Sequence, residues 1–200
     1  MGRIAKRSLW TVVALLAAGL LLRGAVARLF PLPYRDIIKE YAYQERLDPH
    51  LVAAVIQVES SFDPLALSPK GARGLMQLMP DTARWCASQM GLETVEIEDL
   101  YGPRVNIQIG TWYLAHLHDE FHGNEVVALA AYNSGRGKVQ AWLEGTWNGT
   151  LEDIGSIPYA ETRHFIRRVR FARAAYGLLY GGRVDVALVE IGEYLRISVD

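Results

Sequence analysis

The chain carries one cysteine among its 200 residues, which excludes an internal disulfide bond. Stability must come from packing, and Cys86, in a helical stretch, is predicted to be a small core residue. No metal site is expected, because His118 and His122 are spaced i, i+4 but no third ligand accompanies them. No cofactor is expected either, since the run from Gly135 to Gly137 closes a helix instead of following a strand, as a phosphate loop would.

Alternating strand patterns are nearly absent, as are internal repeats and low-complexity segments. Apolar residues recur at helical spacing, and 50% hydrophobic content is enough to bury one core. We therefore predict a mainly α fold, a single globular domain of six to eight helices with a structured loop over 68–79 and a turn over 133–137. The predicted helices cover 34–47, 49–60, 80–91, 103–123, 125–132, 139–143 and 158–180, whereas the tail 183–200 fits a helix and a strand equally well and has no predicted role.

Charge is segregated along the chain, although the net charge is only −1. Residues 1–28 hold five of the 21 basic residues and no acidic residue, which leaves 16 basic against 22 acidic residues in the remainder. An acidic body lacks the basic surface that binding to a phosphate backbone requires. Nucleic acid is therefore excluded as a partner.

One long uncharged run is present, the fourteen residues Leu9 to Leu22, and basic residues precede it. This is the pattern of an export signal, although the run is short for a bilayer span of about 20 residues. We predict a signal or anchor segment over 1–28, in which residues 9–22 contact the membrane if the segment stays uncleaved. An uncleaved anchor is favoured, and cleavage after Ala27 is the alternative. In both cases the domain that follows, residues 29–182, is expected outside the cytoplasm.

Glu59 occupies an unusual position for a charged residue. The Asp48-Pro49 pair is a typical helix start, and at about 100° per residue Glu59 falls on the same arc as Val52 and Val55. A carboxylate on an apolar stripe is costly unless it is paired or protonated. A carboxyl that stays protonated near neutral pH is what a general acid needs.

Four short segments carry further motifs: Glu59-Ser60, residues 71–77 (GARGLMQ), residues 131–135 (AYNSG) and residues 157–163 (IPYAETR). In this order and spacing they resemble the lytic transglycosylase family of the soluble type, over about residues 34–180. The resemblance implies a lysozyme-like fold, similar to goose-type lysozyme, and peptidoglycan glycan strands as the partner.

The resemblance also implies roles for single residues. Glu59 matches the catalytic acid and base, Ser60 would help to orient its carboxyl, and Asn106 matches a structural position. Ser134 stands where the family usually has alanine, and Phe165 where tyrosine is common. Substrate-binding positions are implied for Ser60, Ser68, Met76, Gln77, Tyr132, Asn133 and Glu161.

The reaction implied by the resemblance cleaves the β-1,4 bond between N-acetylmuramic acid and N-acetylglucosamine without water. One glutamate protonates the leaving oxygen and then takes the proton of the muramic 6-hydroxyl, which leaves a 1,6-anhydromuramoyl end. A hydrolase would add a second carboxylate; the candidates are Asp63, predicted to be a turn residue, and Glu161, which the resemblance makes a binding residue. A water-using muramidase and a non-catalytic wall-binding module are the alternative interpretations. The sequence leaves the oligomeric state open.

Overall fold

The computed structural model describes residues 24–92 and 95–181, together with residues 10, 13, 15, 17–19 and 21. The tail 183–200 and most of the predicted signal or anchor segment lie outside the described residues, and the role of the signal or anchor segment stays a prediction. The chain divides into two compact units, Met1–Leu32 and Pro33–Asp200. In the first unit residues 24–29 are helical, and the Phe30 N–H donates to the Val26 carbonyl at 3.1 Å. None of the helices among the described residues has the length and apolar character to cross a bilayer.

The described residues of the second unit form seven α-helices, which confirms the prediction of a mainly α fold with six to eight helices. Over residues 33–92 and 95–181 the β pairing consists of isolated bridges that join Leu67 to Arg73 and Arg73 to Leu78. The helices are α1 (Arg35–Gln44), α2 (Pro49–Ser60), α3 (Pro80–Met90), α4 (Pro103–Glu120), α5 (Glu125–Ser134), α6 (Arg136–Gly145) and α7 (Ala160–Tyr176), with 3₁₀ turns at Glu98–Tyr101 and Ile154–Ser156 and a π-helical turn at Gly177–Gly181.

Three helices begin where the sequence places a proline in the first turn. Pro49, Pro80 and Pro103 open α2, α3 and α4, because the fixed φ of proline suits a position whose N–H has no helical partner. The Asp48 side chain caps α2 by accepting a hydrogen bond from the His50 N–H at 2.9 Å. These local signals set the start of α2 at Pro49, and the predicted start is confirmed.

Helix α2 runs through the core of this unit. Its residues Leu51–Ile56 are 3% exposed or less, and the helix packs most extensively against α7. The sequence predicted one apolar face, along Val52 and Val55, but the helix is also covered at Gln57, whose side chain accepts from the Tyr176 hydroxyl at 3.1 Å. A helix enclosed in this way holds its last turn, which carries Glu59, in a fixed position.

The connection between α5 and α6 is shorter than the predicted turn over 133–137. Asn133 and Ser134 continue α5, and Gly135 alone, at a φ of 92°, separates it from α6. Glycine enters this φ region at little cost, so one residue is enough to break the helix. The segment predicted as a short helix over 139–143 is in fact the ten-residue α6, which begins at Arg136.

Two aromatic residues at helical spacing pack in the interior. Tyr113 is 9% exposed and Tyr176 is fully buried, as is Cys86. Tyr176 contacts Phe62 edge-on, with ring centroids 6.5 Å apart. The helix predicted over 158–180 is divided, because α7 ends at Tyr176 and the π-helical turn follows it.

Candidate active site

Glu59 lies in the last turn of α2, where the chain leaves the core. The helix ends abruptly, because Ser61 and Phe62 take φ angles of 53° and 65°. Burial raises the pKa of the half-buried Glu59 carboxyl to about 8; the negative charge of Glu161 adds to the rise, and the positive charge of Arg168 opposes it. A carboxyl that keeps its proton near neutral pH can donate it to a bound molecule.

The loop over 66–78 is fixed from below by one buried amide. The Asn106 side chain on α4 accepts from the Met76 N–H at 2.7 Å and donates to the carbonyls of Arg73 and Leu100 at 3.0 and 2.7 Å. Asn106 is fully buried, so water does not compete for these bonds. The structural role predicted for this residue is confirmed.

Three of the predicted site residues also hold this loop in shape. The Ser60 hydroxyl donates to the Leu75 carbonyl at 2.8 Å, which ties the end of α2 to the loop. The Ser68 hydroxyl accepts a backbone N–H of the loop at 2.9 Å. The Gln77 side-chain amide donates to two loop carbonyls at 3.0 and 3.2 Å, which leaves its carbonyl oxygen to accept from a bound molecule.

Tyr132 on α5 joins the loop to the acid. Its hydroxyl donates to the Met76 carbonyl at 2.8 Å. Burial raises the pKa of Tyr132 well above its usual value, and the charge of Glu59 raises it further. The ring lies parallel to Phe165 at 6.4 Å between centroids and is tilted against Tyr113 at 5.5 Å. Packing thus holds the ring close enough to Glu59 for the two groups to interact electrostatically.

The first turn of α7 faces the end of α5. The buried Thr162 hydroxyl donates to the Asn133 side-chain oxygen at 2.9 Å. Glu161 is exposed, with 71% of its side chain accessible, and its carboxylate lies 3.5 Å from the Lys70 amine. An ion pair this exposed contributes little stability, but it connects the loop over 66–78 to α7, and Glu161 remains free to meet a ligand.

The family of this chain is decided by its match to a protein-family model. The model described as "Transglycosylase SLT domain" matches residues 36–151. The chain belongs to the transglycosylase SLT domain family. The match covers more than half of the chain, from α1 to the loop before α7, and includes Glu59, Tyr132 and Asn106.

Curated relatives of this SLT domain agree with the match. The chain is 35% identical over 158 residues to a protein named soluble lytic murein transglycosylase from Escherichia coli K12, which covers 77% of this chain and 24% of the relative. It is 29% identical over 165 residues to membrane-bound lytic murein transglycosylase C from Actinobacillus pleuropneumoniae, which covers 72% of this chain and 45% of the relative. The chain spans about a quarter of the length of the E. coli protein.

Solved structures show the same fold as this SLT domain. An inactive variant of the lytic transglycosylase Slt from Pseudomonas aeruginosa, with one glutamate changed to glutamine, has a TM-score of 0.69 and 36% identity, and the match covers 74% of this chain and 24% of that one. A 70-kDa soluble lytic transglycosylase in complex with bulgecin A has a TM-score of 0.73 and 32% identity, covering 90% of this chain and 30% of that one. The lysozyme-like fold implied by the resemblance is confirmed.

Two of the contacts expected in the SLT domain differ in the structure. The Met76 side chain is fully buried, so it packs in the core and only its backbone belongs to the site. The neighbouring Met79 is 42% exposed. Ser60 was expected to orient the Glu59 carboxyl, but its proton goes to a loop carbonyl instead.

Three further residues of the site were not assigned to it from the sequence: Lys70, Thr162 and Arg168. Thr162 lies inside the motif over 157–163, between two charged residues of a helix. A threonine in this position could have indicated a side-chain hydrogen bond, here the one to Asn133. Lys70 and Arg168 act through charge alone, on Glu161 and Glu59. Only the fold places them near those carboxyls, and the sequence offers no signal for that.

Asp63 and the histidines of α4 were also considered for the site. The Asp63 carboxylate accepts the Leu65 N–H at 2.9 Å, which confirms the predicted turn role. On the helix that carries His118, the neighbouring His116 stacks on Trp112 with ring centroids 5.1 Å apart. Over the part of the chain that the structure describes, no group of three or more His, Cys, Asp or Glu side chains is arranged to hold a metal ion.

Gly74 is expected to tolerate no side chain. Its φ is 72°, and a Cβ would lie 2.1 Å from the Leu100 carbonyl oxygen and 2.4 Å from the Asn106 amide nitrogen. Gly74→Ala should lower the free energy of unfolding by about 2–5 kcal/mol, the combined cost of a left-handed backbone and of overpacking. Gly71→Ala is the matched control, since Gly71 has a φ of 91° but open space around it. Urea unfolding of the two variants measures the difference, and equal losses would contradict the clash.

Glu59→Gln is expected to stabilise the fold above acidic pH. The carboxyl pKa rises from its ordinary 4.5 to about 8 on folding, so the folded state holds a proton that the unfolded state has released between these values, and stability falls as pH rises through that window. The glutamine variant does not lose stability in this way, so its Tm should exceed the wild-type Tm by a difference that grows from pH 5 to pH 8. Calorimetry at each pH measures it, with the exposed Glu152→Gln as control. A Tm difference that is constant with pH would refute the raised pKa.

Proposed function

We propose that this SLT domain is a peptidoglycan lytic transglycosylase. It cleaves the β-1,4 bond between N-acetylmuramic acid and N-acetylglucosamine and forms a 1,6-anhydromuramoyl end without consuming water. The observation that carries the proposal is the Glu59 carboxyl, whose pKa is raised to about 8 by burial at the end of a core helix. The relatives are longer than this chain and match most of it. Their names, which describe lytic transglycosylases, support the same activity.

In the proposed reaction Glu59 acts twice. The protonated carboxyl gives its proton to the glycosidic oxygen, and the bond from that oxygen to C1 of the muramic residue breaks. The 2-acetamido group of the substrate stabilises the positive charge on C1. The Glu59 carboxylate then takes the proton of the 6-hydroxyl, whose oxygen bonds to C1, so the enzyme recovers its proton and the atoms balance.

The other site residues are proposed to bind and orient the glycan. The side-chain oxygen of Gln77 and the exposed Glu161 carboxylate accept hydrogen bonds from sugar hydroxyls and N-acetyl groups. The Ser68 hydroxyl, whose oxygen already accepts a backbone N–H, keeps its proton for a donor role. Tyr132, whose pKa is raised by the charge of Glu59, and the next residue of α5, Asn133, are proposed to complete the binding surface for the reacting sugar.

A water-using muramidase is the second candidate function, and one observation favours it. Glu161 is a second carboxylate whose charge reaches Glu59, and hydrolysis by an inverting or retaining route uses two carboxyl groups. Against this, the Glu161 side chain is 71% exposed and pairs with Lys70, which suits a binding residue better than a buried nucleophile.

Mass spectrometry of released muropeptides tests the proposed function. Purified peptidoglycan is digested with the protein and, separately, with its Glu59→Gln and Glu161→Gln variants. We expect anhydro-ended fragments, which are lighter than reducing-end fragments by one water, from the wild type and none from Glu59→Gln. Reducing ends that disappear in Glu161→Gln would replace the transglycosylase with the muramidase. Retained glycan binding without any release by the wild type would indicate a non-catalytic module.

We further propose that the domain works outside the cytoplasm and is held at the membrane by residues 9–22. The uncharged run with its basic flank supports export, and one relative is named as membrane-bound. Fractionation of cells that produce the full chain tests the location. Membrane association that persists after a high-salt wash and is lost when residues 1–28 are deleted supports the anchor, whereas a free protein beginning after Ala27 supports cleavage.

A further inference from the structure

The first half of α7 concentrates positive charge in a domain that is acidic as a whole. Acidic residues outnumber basic ones over residues 29–200, whereas α7 holds five arginines and a single acidic residue, Glu161. At about 100° per residue, four basic residues of this half fall within an arc of about 140°. We call them the α7 basic patch: Arg163, His164, Arg167 and Arg168.

The α7 basic patch lies on the side of the helix that turns away from the core. His164 and Arg168 are exposed, and the two other arginines of the patch are partly exposed. Helix α7 packs most extensively against α2. The residues that it buries along the same stretch lie on its opposite side: Thr162, Phe165, Ile166 and Val169. Helical spacing therefore separates an apolar side, which holds the core, from a basic side that faces the solvent.

The charge of the patch is not neutralised by a neighbouring carboxylate. Arg163 donates to a neutral partner, the Ile157 carbonyl. Among the residues that the structure describes, the side chains of Arg167 and Arg168 form neither a hydrogen bond nor an ion pair. The acidic residue of α7, Glu161, already pairs with Lys70 at 3.5 Å. Three arginines without a carboxylate on one face create a positive field that attracts an anionic surface.

The proposed anchor would keep this patch close to a membrane. Residues 23–32 join the uncharged run to the helical unit that begins at Pro33, and a segment of this length reaches at most about 35 Å when it is fully extended. A short tether gives the domain a high effective concentration at the surface of the bilayer. Anionic headgroups attract basic residues there within a Debye length of about 8–10 Å. A polyanion elsewhere in the wall would lack this advantage of proximity.

We propose that the α7 basic patch docks on the anionic phospholipid headgroups of the membrane that holds the anchor. The inference rests on the proposed anchor and goes beyond it, because it states which side of the domain faces the lipid. The patch begins two residues after Glu161, so docking brings the candidate active site to the surface of the membrane. Cleavage is then directed at the glycan strands that lie nearest to the bilayer.

Fluorescence quenching at the membrane surface tests the proposal. The full chain carries a fluorophore on His164→Cys or, for reference, on Gln89→Cys in α3; both positions are exposed, and Cys86 is fully buried and escapes labelling. The protein is present while vesicles form from phosphatidylcholine alone or with phosphatidylglycerol, and a fraction of the headgroups carries a quencher. We expect quenching at position 164, but not at position 89, in the anionic vesicles. High salt should abolish it, because the Debye length shortens.

Charge variants show whether the arginines of the patch cause the docking. Arg167→Gln/Arg168→Gln should lower the ratio of docked to undocked protein about 25-fold, since each basic residue near an anionic surface contributes about fivefold. Arg167→Lys/Arg168→Lys keeps the charge and should dock as the wild type does. Arg84→Gln/Arg104→Gln removes two arginines that already pair with carboxylates, so the ratio should stay within about twofold of wild type. Equal losses in the two glutamine pairs would overturn the proposal, as would a loss of docking in the lysine pair.

Flotation of the vesicles separates this inference from the proposed anchor. Protein that floats with both kinds of vesicle but shows no quenching at position 164 would leave the anchor standing and overturn the inference. Protein that floats only with anionic vesicles, and fails to do so as Arg167→Gln/Arg168→Gln, would support the patch and remove the anchor. Flotation with neither kind would overturn both. Binding of the wild type to a glycerol phosphate polymer, without quenching on vesicles, would replace the lipid with an anionic polymer of the wall.

Discussion

Glu59→Gln is expected to lower the rate of glycan cleavage to about 1% of wild type or less, the effect of removing a general acid that also serves as the base. The amide keeps the shape of the carboxyl but cannot supply or take the proton. Glycan binding should persist, because the loop over 66–78, Tyr132 and α7 are held by contacts that do not involve the Glu59 carboxyl. Release of muropeptides measures turnover, and sedimentation with insoluble peptidoglycan measures binding.

The control for this variant is Asp63→Asn. Asp63 is four residues after Glu59, and its carboxylate serves a turn by accepting the Leu65 N–H. Cleavage by Asp63→Asn should stay within about twofold of wild type, as for a surface turn residue. Turnover by Glu59→Gln well above about 1% of wild type would remove Glu59 from the catalytic role.

The pH dependence of the rate follows from the same carboxyl. Cleavage needs protonated Glu59, so kcat/KM should fall as pH rises through about 8. The charge of Glu161 contributes to that raised pKa, so Glu161→Gln should move the falling limb to lower pH whatever it does to the maximal rate. A limb that keeps its position in Glu161→Gln would show that burial alone sets the pKa of Glu59.

Asn106→Ala is expected to lower the free energy of unfolding by about 2–6 kcal/mol. The substitution removes the partner of two buried backbone groups, the Met76 N–H and the Leu100 carbonyl, whereas the Arg73 carbonyl still accepts from the Leu78 N–H at 3.0 Å. Each orphaned group costs about 1–3 kcal/mol. Since a domain is stable by about 5–15 kcal/mol in all, this one side chain carries a large share, and Tm should drop by roughly 5–20 °C.

Urea unfolding and calorimetry measure this loss, with Asn148→Ala as the control. Asn148 is exposed, and its side chain accepts the Thr150 N–H at 2.9 Å, so its removal should cost about 1 kcal/mol or less. An Asn106→Ala protein as stable as the Asn148→Ala protein would show that the loop does not depend on the buried amide.

The helices could be predicted from the sequence where local signals set both ends. Asp48 and Pro49 fix the start of α2, and Gly91 at a φ of 68° ends α3, because capping and left-handed glycine act within a single turn. The break at Gly135 was predicted too long, since nothing local shows that Asn133 and Ser134 still hold helical bonds. That is decided by contacts with α7, including the bond from Thr162 to Asn133.

The candidate site could be predicted in part. Glu59 and its tyrosine and glutamate neighbours follow from motifs, and the structure gathers them around the end of α2. The roles of Met76 and Ser60 could not be read from sequence, because a motif gives a residue type but not the direction of its side chain. Met76 turns into the core beneath Gly110, with its sulfur 2.5 Å from the place a Cβ would occupy there.

The sequence by itself determined the helical class, the helix starts at Pro49, Pro80 and Pro103, the family and the one acid on an apolar stripe, because these depend on residue types and short-range spacing. The tertiary structure alone decided how strongly that acid holds its proton, since the pKa of Glu59 depends on burial by α7 and the loop and on charges far along the chain, at Glu161 and Arg168. Solvent exclusion and long-range charge act through space, and spatial proximity between distant segments exists only once the core has formed.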